Sequence, residues 1–202
     1  MPSHSAKSLF DKNIRSAKDC HALYHRVKKL DPVDVNIKWI LRAAIVFTVS
    51  ALDAYFHDKV KYRIGKIPLS DLPDTLMKFE ITVSALLAWD KAKRKRNVLR
   101  NLVVANLSTK PLQSPKVIAE TLKLVNIQSF WNRVEPDKIK QKDLLHHFNE
   151  IIHRRNKISH EGDRLTSRRS GKKLRAISPI YVLRTIKFAV DLVDKVEKVF
   201  PE

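Results

Sequence analysis

The chain has 202 residues, a length that suits one domain or one domain with a long insertion. Its net charge of +19, from 40 basic and 21 acidic residues, favours a polyanionic partner such as nucleic acid, an anionic membrane face or an acidic protein. The scarcity of glycine, with 3 in the chain, argues against sheet-rich folds and nucleotide-binding loops. The single cysteine excludes an intramolecular disulfide or a thiolate metal cluster within one chain.

Helical spacing of apolar residues predicts two helices in the first third of the chain, at 5–30 and 33–63. Asp31-Pro32 separates them, because proline ends one helix and is tolerated in the first turn of the next. The second helix is the more apolar, so we expect it to lie centrally in a bundle. Three charged residues interrupt its apolar stretch from Ile37 to Phe56, which favours a buried helix over a membrane span.

The segment 65–135 is less regular than its flanks. Loops rich in glycine or proline are predicted at 65–73 and 108–115, with helical patterning over 74–107 between them. Ser114-Pro115 has the pattern of a helix start and predicts a short helix at 115–125. We expect 126–136 to be irregular and anchored by the aromatic pair Phe130-Trp131.

The C-terminal third returns to regular helices, predicted at 137–159 and 179–200. Gly162 is an end signal for the first, and Ser178-Pro179 caps the second. An exposed loop is expected at 164–175 between them. The predicted fold is therefore all-α: a single domain with a four-helix bundle and a less regular helical insertion at about 65–135.

Arg155 and His160 lie five residues apart near the predicted end of helix 137–159. On an ideal helix their side chains would point roughly 140° apart, so they converge only at a helix end, a bend or a contact with a second subunit. Histidine can accept a proton from a ribose hydroxyl, and arginine can bind phosphate oxygens. The pair suits metal-independent RNA cleavage; the alternative is a helix-end histidine beside a solvated arginine.

The run from His153 to Asp163, HRRNKISHEGD, resembles the Arg-Asn-x-x-x-His signature of the HEPN superfamily (higher eukaryotes and prokaryotes nucleotide-binding). Within it, the run looks most like the RiboL-PSP-HEPN group. A softer resemblance is the apolar helix that ends in ALDAYFHD at 51–58, where family members often carry an acidic residue. The resemblance covers the four bundle helices in order and leaves 65–135 unmatched.

The resemblance implies an HEPN-like all-α bundle that commonly dimerises. Many members are metal-independent endoribonucleases that act as toxins or in anti-phage defence, and some keep the fold without activity. Carried over by position, Arg155 would bind phosphate, His160 would be the general base or acid, and Asn156 would be the polar residue that often follows the arginine. Asp53 is a candidate orienting acid. Arg154 competes with Arg155, but Asn156 favours Arg155.

Two runs, at 91–100 and 164–175, each contain six basic residues and are candidate RNA-binding segments. Because they lack aromatic residues, they should add salt-dependent affinity with little sequence choice; a solvated face is the alternative. A further alternative is that they dock an acidic antitoxin. The predicted RNA-binding residues are Arg154, Arg164, Arg168, Arg169, Lys172 and Lys173. Trp39 and the pair Phe130-Trp131 are predicted to anchor the core rather than to stack on bases.

The histidines at 146, 153 and 160 recur every seven residues, whereas metal-binding histidines on a helix usually lie three or four apart. We therefore expect no metal and no cofactor. The expected partners are RNA, a second copy of the chain and an acidic antitoxin protein, with no membrane, in the cytoplasm. The alternatives to an RNase are a non-catalytic nucleic-acid- or partner-binding helical module of a defence system and a helical scaffold for an acidic partner.

Overall fold

The computed structural model describes residues 5–30, 36–78, 80, 82–165 and 173–200. Within these ranges the chain forms nine α-helices, one 3-10 turn at Leu69–Asp71 and an isolated antiparallel bridge, so the all-α prediction is confirmed. The bundle helices are α1 (Ala6–Val27), α2 (Lys38–Ile64), α8 (Lys138–Glu161) and α9 (Pro179–Val199). The middle helices are α3 (Asp74–Met77), α4 (Val83–Asp90), α5 (Lys95–Leu107), α6 (Pro115–Lys123) and α7 (Phe130–Val134).

Helix α2 is the centre of the bundle, as its composition predicts, and it packs against α1, α8 and α9. Tyr55 of α2 meets Phe10 of α1 edge to face, with ring centroids 5.8 Å apart. Both rings are fully buried, and each contributes about 1.5–3 kcal/mol by leaving water. Among the described helices, α2 alone is long and apolar enough to cross a membrane, but most of it is buried against its neighbours, as in a core helix.

A buried polar group joins α2 to the last turns of α9. The Lys59 ammonium and the Tyr55 hydroxyl both donate to Oε1 of Glu197, at 2.7 and 2.6 Å. Lys59 is 1% exposed, so this carboxylate supplies the charge that a buried ammonium requires. The interaction fixes the position of α9 along the axis of α2.

Side-chain caps set several helix starts at the predicted positions. Ser114 accepts a hydrogen bond from the Val117 amide at the start of α6, and Ser178 accepts one from the Tyr181 amide at the start of α9. Gly162 ends α8 in the left-handed conformation, with φ of 59°. The serine and glycine signals in the sequence are therefore confirmed, because each satisfies backbone groups that a helix end leaves unpaired.

The middle segment differs from its prediction in two places. The helical pattern over 74–107 is divided among three helices, since Thr82 caps the Ala85 amide and starts α4 anew. The stretch 126–136, expected to be irregular, contains α7, which places Phe130 and Trp131 in the core at 2% and 8% exposure. The Trp131 indole donates to the Pro115 carbonyl at 2.8 Å, so α7 also fixes the start of α6.

Substitution of Phe148 tests the packing of α8, because this side chain is fully buried and contacts Trp131 and Phe188. Phe148→Ala should lower the free energy of unfolding by about 3–5 kcal/mol, through lost burial and the cavity that remains. Urea denaturation followed by far-ultraviolet circular dichroism measures this. Ile139→Ala on the same helix is the control, since Ile139 is 77% exposed. Equal losses in the two variants would contradict the packing described.

Candidate active site at the end of α8

The motif residues lie on the last two turns of α8, which continues unbroken through Arg155 and His160 to Glu161. Arg155 is half-buried and donates from Nη1 to Oδ1 of Asn156 at 3.1 Å, whereas His160 is exposed. Gly162 ends the helix only after both residues. Their side chains therefore diverge by roughly 140° within one chain, as on any regular helix.

The carboxylate of Asp163 joins the end of α8 to the start of α2. Its Oδ2 accepts hydrogen bonds from Nε of Arg42 at 2.7 Å and from Nη2 of Arg154 at 2.8 Å. Asp163 has no exposed surface and Arg42 is 2% exposed, so this ion pair is shielded from water and salt. One carboxylate between two guanidinium groups leaves the cluster with a net positive charge.

The same arginines close the base of the basic loop. Arg42 donates to the Arg175 carbonyl at 2.7 Å, and Arg154 donates to the Ala176 carbonyl at 3.0 Å. The Arg175 amide donates to the Asp163 carbonyl at 2.8 Å, and Arg164 pairs with Leu174 in an antiparallel bridge. The described residues at the two ends of the basic segment, 164–165 and 173–175, are thus held beside the motif.

The predicted RNA-binding residues have different surroundings. Arg164 and Lys173 are exposed at the base of the loop. Arg168, Arg169 and Lys172 lie outside the described residues. The guanidinium of Arg154 is engaged with Asp163 and two carbonyls, and burial lowers its pKa while the charge of Asp163 acts in the opposite direction. Its observed contacts are structural, which makes Arg155 the more available of the two arginines.

Within one chain, the fold does not place Asp53 next to His160. Its carboxylate accepts a hydrogen bond from the Leu112 amide at 2.6 Å and another from the Gln113 side chain at 3.4 Å. It follows Arg42 by eleven residues on α2, which places it roughly 16 Å further along the helix axis. In the monomer Asp53 therefore holds the loop before α6 and does not orient the motif histidine.

Sequence reasoning missed Arg42 and Asp163 as determinants of the site. The signal for Arg42 was a charged residue inside an otherwise apolar helix, where full burial demands a partner. Asp163 gave a weaker signal, a carboxylate directly after the helix-ending glycine, and its backbone lies in the left-handed region with φ of 58°. Trp39 corrects a second prediction: it is 44% exposed and so is not a core anchor, whereas Phe130 and Trp131 are.

Buried donor atoms concentrate at this end of the bundle. Arg42 Nη1 and the Nε atoms of Arg154, Arg155 and Arg175 have no hydrogen-bond partner in the described protein. Oδ1 of Asp163 also lacks a partner there, and because all of these atoms are buried, they add to the charge of this end without reaching an external anion. No group of three or more histidine, cysteine or acidic residues among the described residues is arranged to hold a metal ion.

An all-α bundle with an Arg-Asn-x-x-x-His run at the cationic end of a helix has the features of an HEPN-type nuclease or a related module. The chain belongs to the RiboL-PSP-HEPN family, whose model matches residues 9–202. Neither the comparison with curated proteins nor the comparison with solved structures gave a significant match. The family match covers all four bundle helices and the middle segment.

Asp163→Asn tests the buried ion pair. The variant should lose about 3–5 kcal/mol of unfolding free energy, because the charge of Arg42 then stays buried without its carboxylate. Urea denaturation measures the loss. Glu161→Gln, two residues earlier, removes an exposed carboxylate paired with Lys157 and should cost less than about 1 kcal/mol. If both variants are equally stable, Asp163 does not hold the site together.

Proposed function

We propose that this protein is a metal-independent endoribonuclease of HEPN type, acting in the cytoplasm as a toxin or an anti-phage defence component. The observation that carries the proposal is the placement of Arg155, Asn156 and His160 on the last turns of α8, beside a net positive cluster. Residues 1–202 would form one HEPN-like domain in which 65–135 is an insertion. RNA is the polyanion that best matches this chemistry.

In the proposed reaction His160 accepts the proton of a ribose 2′-hydroxyl, and the 2′-oxygen attacks the adjacent phosphorus. The bond from phosphorus to the 5′-oxygen of the next nucleotide breaks, and that oxygen takes a proton from a protonated histidine or from water. Arg155 stabilises the negative charge that grows on the non-bridging oxygens. The products are a 2′,3′-cyclic phosphate and a free 5′-hydroxyl.

A homodimer gives this chemistry a complete site. Because Arg155 and His160 diverge on one unbroken helix, Arg155 of one protomer would act with His160 of the partner subunit. A two-fold contact along α8 would create two such pairs, since an isologous interface repeats each contact. The exposure of His153 and His160 on this helix leaves that face available for the contact.

The basic loop would lead RNA to this cleft. Arg164 and Lys173 are exposed at its fixed base, and Arg168, Arg169 and Lys172 remain predicted RNA contacts. Such contacts are made mainly to phosphate, so they would raise affinity without choosing a sequence. An acidic antitoxin that covers the same cations would block the cleft.

The alternative is a non-catalytic module that binds nucleic acid or a partner protein. The divergence of Arg155 and His160 within one chain favours it, because a monomer has no composite Arg–His site. It predicts RNA affinity that falls with salt concentration and does not depend on His160.

His160→Ala should reduce RNA cleavage by about 10²- to 10⁴-fold, the usual effect of losing a general base. The measurement is cleavage of total RNA and tRNA in the presence of chelator, with analysis for 2′,3′-cyclic phosphate ends. His146→Ala is the control, because that histidine lies on the same helix and its side chain is 75% exposed. Wild-type rates from His160→Ala protein would rule out the proposed base.

Mixing Arg155→Ala with His160→Ala protein tests the composite site. Each variant alone should be inactive, whereas a mixed dimer regains one intact pair, so a fully exchanged mixture should recover about a quarter of wild-type activity. Mixing each variant with itself is the control. Continued inactivity of mixed dimers, demonstrated by differently tagged subunits, would show that both residues act within one protomer.

A further inference from the structure

Trp39 is an exposed aromatic residue beside the cationic end of the bundle. It lies in the first turn of α2 and keeps 44% of its surface in contact with solvent. Leaving so much of an indole in water forgoes the stabilisation that burial would give. The core therefore does not explain this side chain.

Arg42 covers one face of the Trp39 ring, with its guanidinium carbon 4.9 Å from the ring centroid. Arg42 is itself held rigidly, because its Nε and Nη2 donate to Asp163 and to the Arg175 carbonyl. Because Arg42 covers one face of the Trp39 ring, the exposed surface of the ring lies on its other face and its edge. Trp39 is thus a rigid aromatic platform whose orientation is set by the buried ion pair.

The platform and the motif belong to the same end of the molecule. Asp163, which fixes Arg42, follows His160 by only three residues, a separation of at most about 11 Å between their α-carbons. Arg154 donates to the same carboxylate, and the Arg175 amide donates to the backbone carbonyl of Asp163. Trp39 therefore combines an open aromatic face with a cationic border.

We propose that Trp39 is a nucleobase-stacking platform, on which a base of a single-stranded RNA lies while its phosphates contact exposed cations at this end of the molecule, such as Lys38 and Arg164. This inference rests on the proposed function for the identity of the ligand as RNA. Every nucleobase has a flat face that stacks on an indole, and the adjoining phosphate supplies the negative charge that the cluster lacks. The interaction adds base-dependent affinity at a site whose surroundings are cationic.

A second copy of the chain is the competing occupant of the Trp39 face, which belongs to α2 and is separate from the dimer contact proposed along α8, and the charges around Trp39 disfavour it. Arg42 and Arg154 share the single buried carboxylate of Asp163, and Lys38 beside Trp39 is exposed. Two such cationic patches repel each other when they meet. A polyanion neutralises them, so RNA is the better fit to this surface.

The test compares the binding of two oligoribonucleotides, one complete and one with abasic positions. Both carry methylated 2′-hydroxyls, so that neither can be cleaved by 2′-oxygen attack. The wild-type protein should bind the complete oligomer about 5- to 100-fold more tightly than the abasic one. Trp39→Ala should abolish this difference, and Trp39→Phe should keep part of it. Phe47→Ala is the matched control, because Phe47 lies on the same helix and is 43% exposed.

Two results would overturn the platform. One is an unchanged preference for the base-containing oligomer in Trp39→Ala protein. The other is a monomeric Trp39→Ala protein in analytical ultracentrifugation when the wild-type protein is dimeric, which would assign Trp39 to a subunit interface. Because the oligomer cannot be cleaved, its binding is measured independently of nuclease activity. A wild-type protein that binds bases through Trp39 but does not cleave normal RNA would refute the proposed nuclease activity and support the platform.

Discussion

Asp163 has no exposed surface, and its carboxylate is shared by Arg42 from α2 and Arg154 from α8. The geometry of the functional end depends on this one group. Without it, two guanidinium groups would be left close together in a poorly solvated region, where unpaired charge is costly. With it, the start of the central helix, the end of the motif helix and the base of the basic loop are joined at one point.

The ion pair also explains why the charged end can be both ordered and cationic. A carboxylate pairs with about one unit of positive charge, so the second guanidinium remains as excess. The ion pair thus orders this end of the fold, and the remaining positive charge attracts anions.

The middle segment is attached to the bundle by polar groups that are separate from this cluster. Asp53 binds the loop before α6, and the Trp131 indole binds the Pro115 carbonyl at the start of that helix. An acidic residue on α2 is thus used to hold the middle segment, roughly 16 Å along the helix from Arg42. The resemblance in the sequence of α2 suggested that Asp53 acts near the motif. The monomer does not display this role, because Asp53 lies too far along the helix.

The sequence by itself determined the all-α class, the four bundle helices, the caps at Ser114 and Ser178, and the end of α8 at Gly162. These features depend on local periodicity and on backbone groups satisfied within a few residues, which a linear sequence records directly. The Arg-Asn-x-x-x-His run from Arg155 to His160 is likewise a local pattern.

Only the tertiary structure decided the partners of Arg42, Asp53 and Asp163 and the exposure of Trp39. Arg42 and Asp163 are 121 residues apart, and no local pattern links a cation in one helix to a carboxylate after another. The exposure of Trp39 is equally non-local, because an aromatic residue in an apolar helix has the same spacing whether its neighbours cover it or leave it open. Burial and ion pairing are properties of the packed helices, so they become visible only when the bundle is assembled.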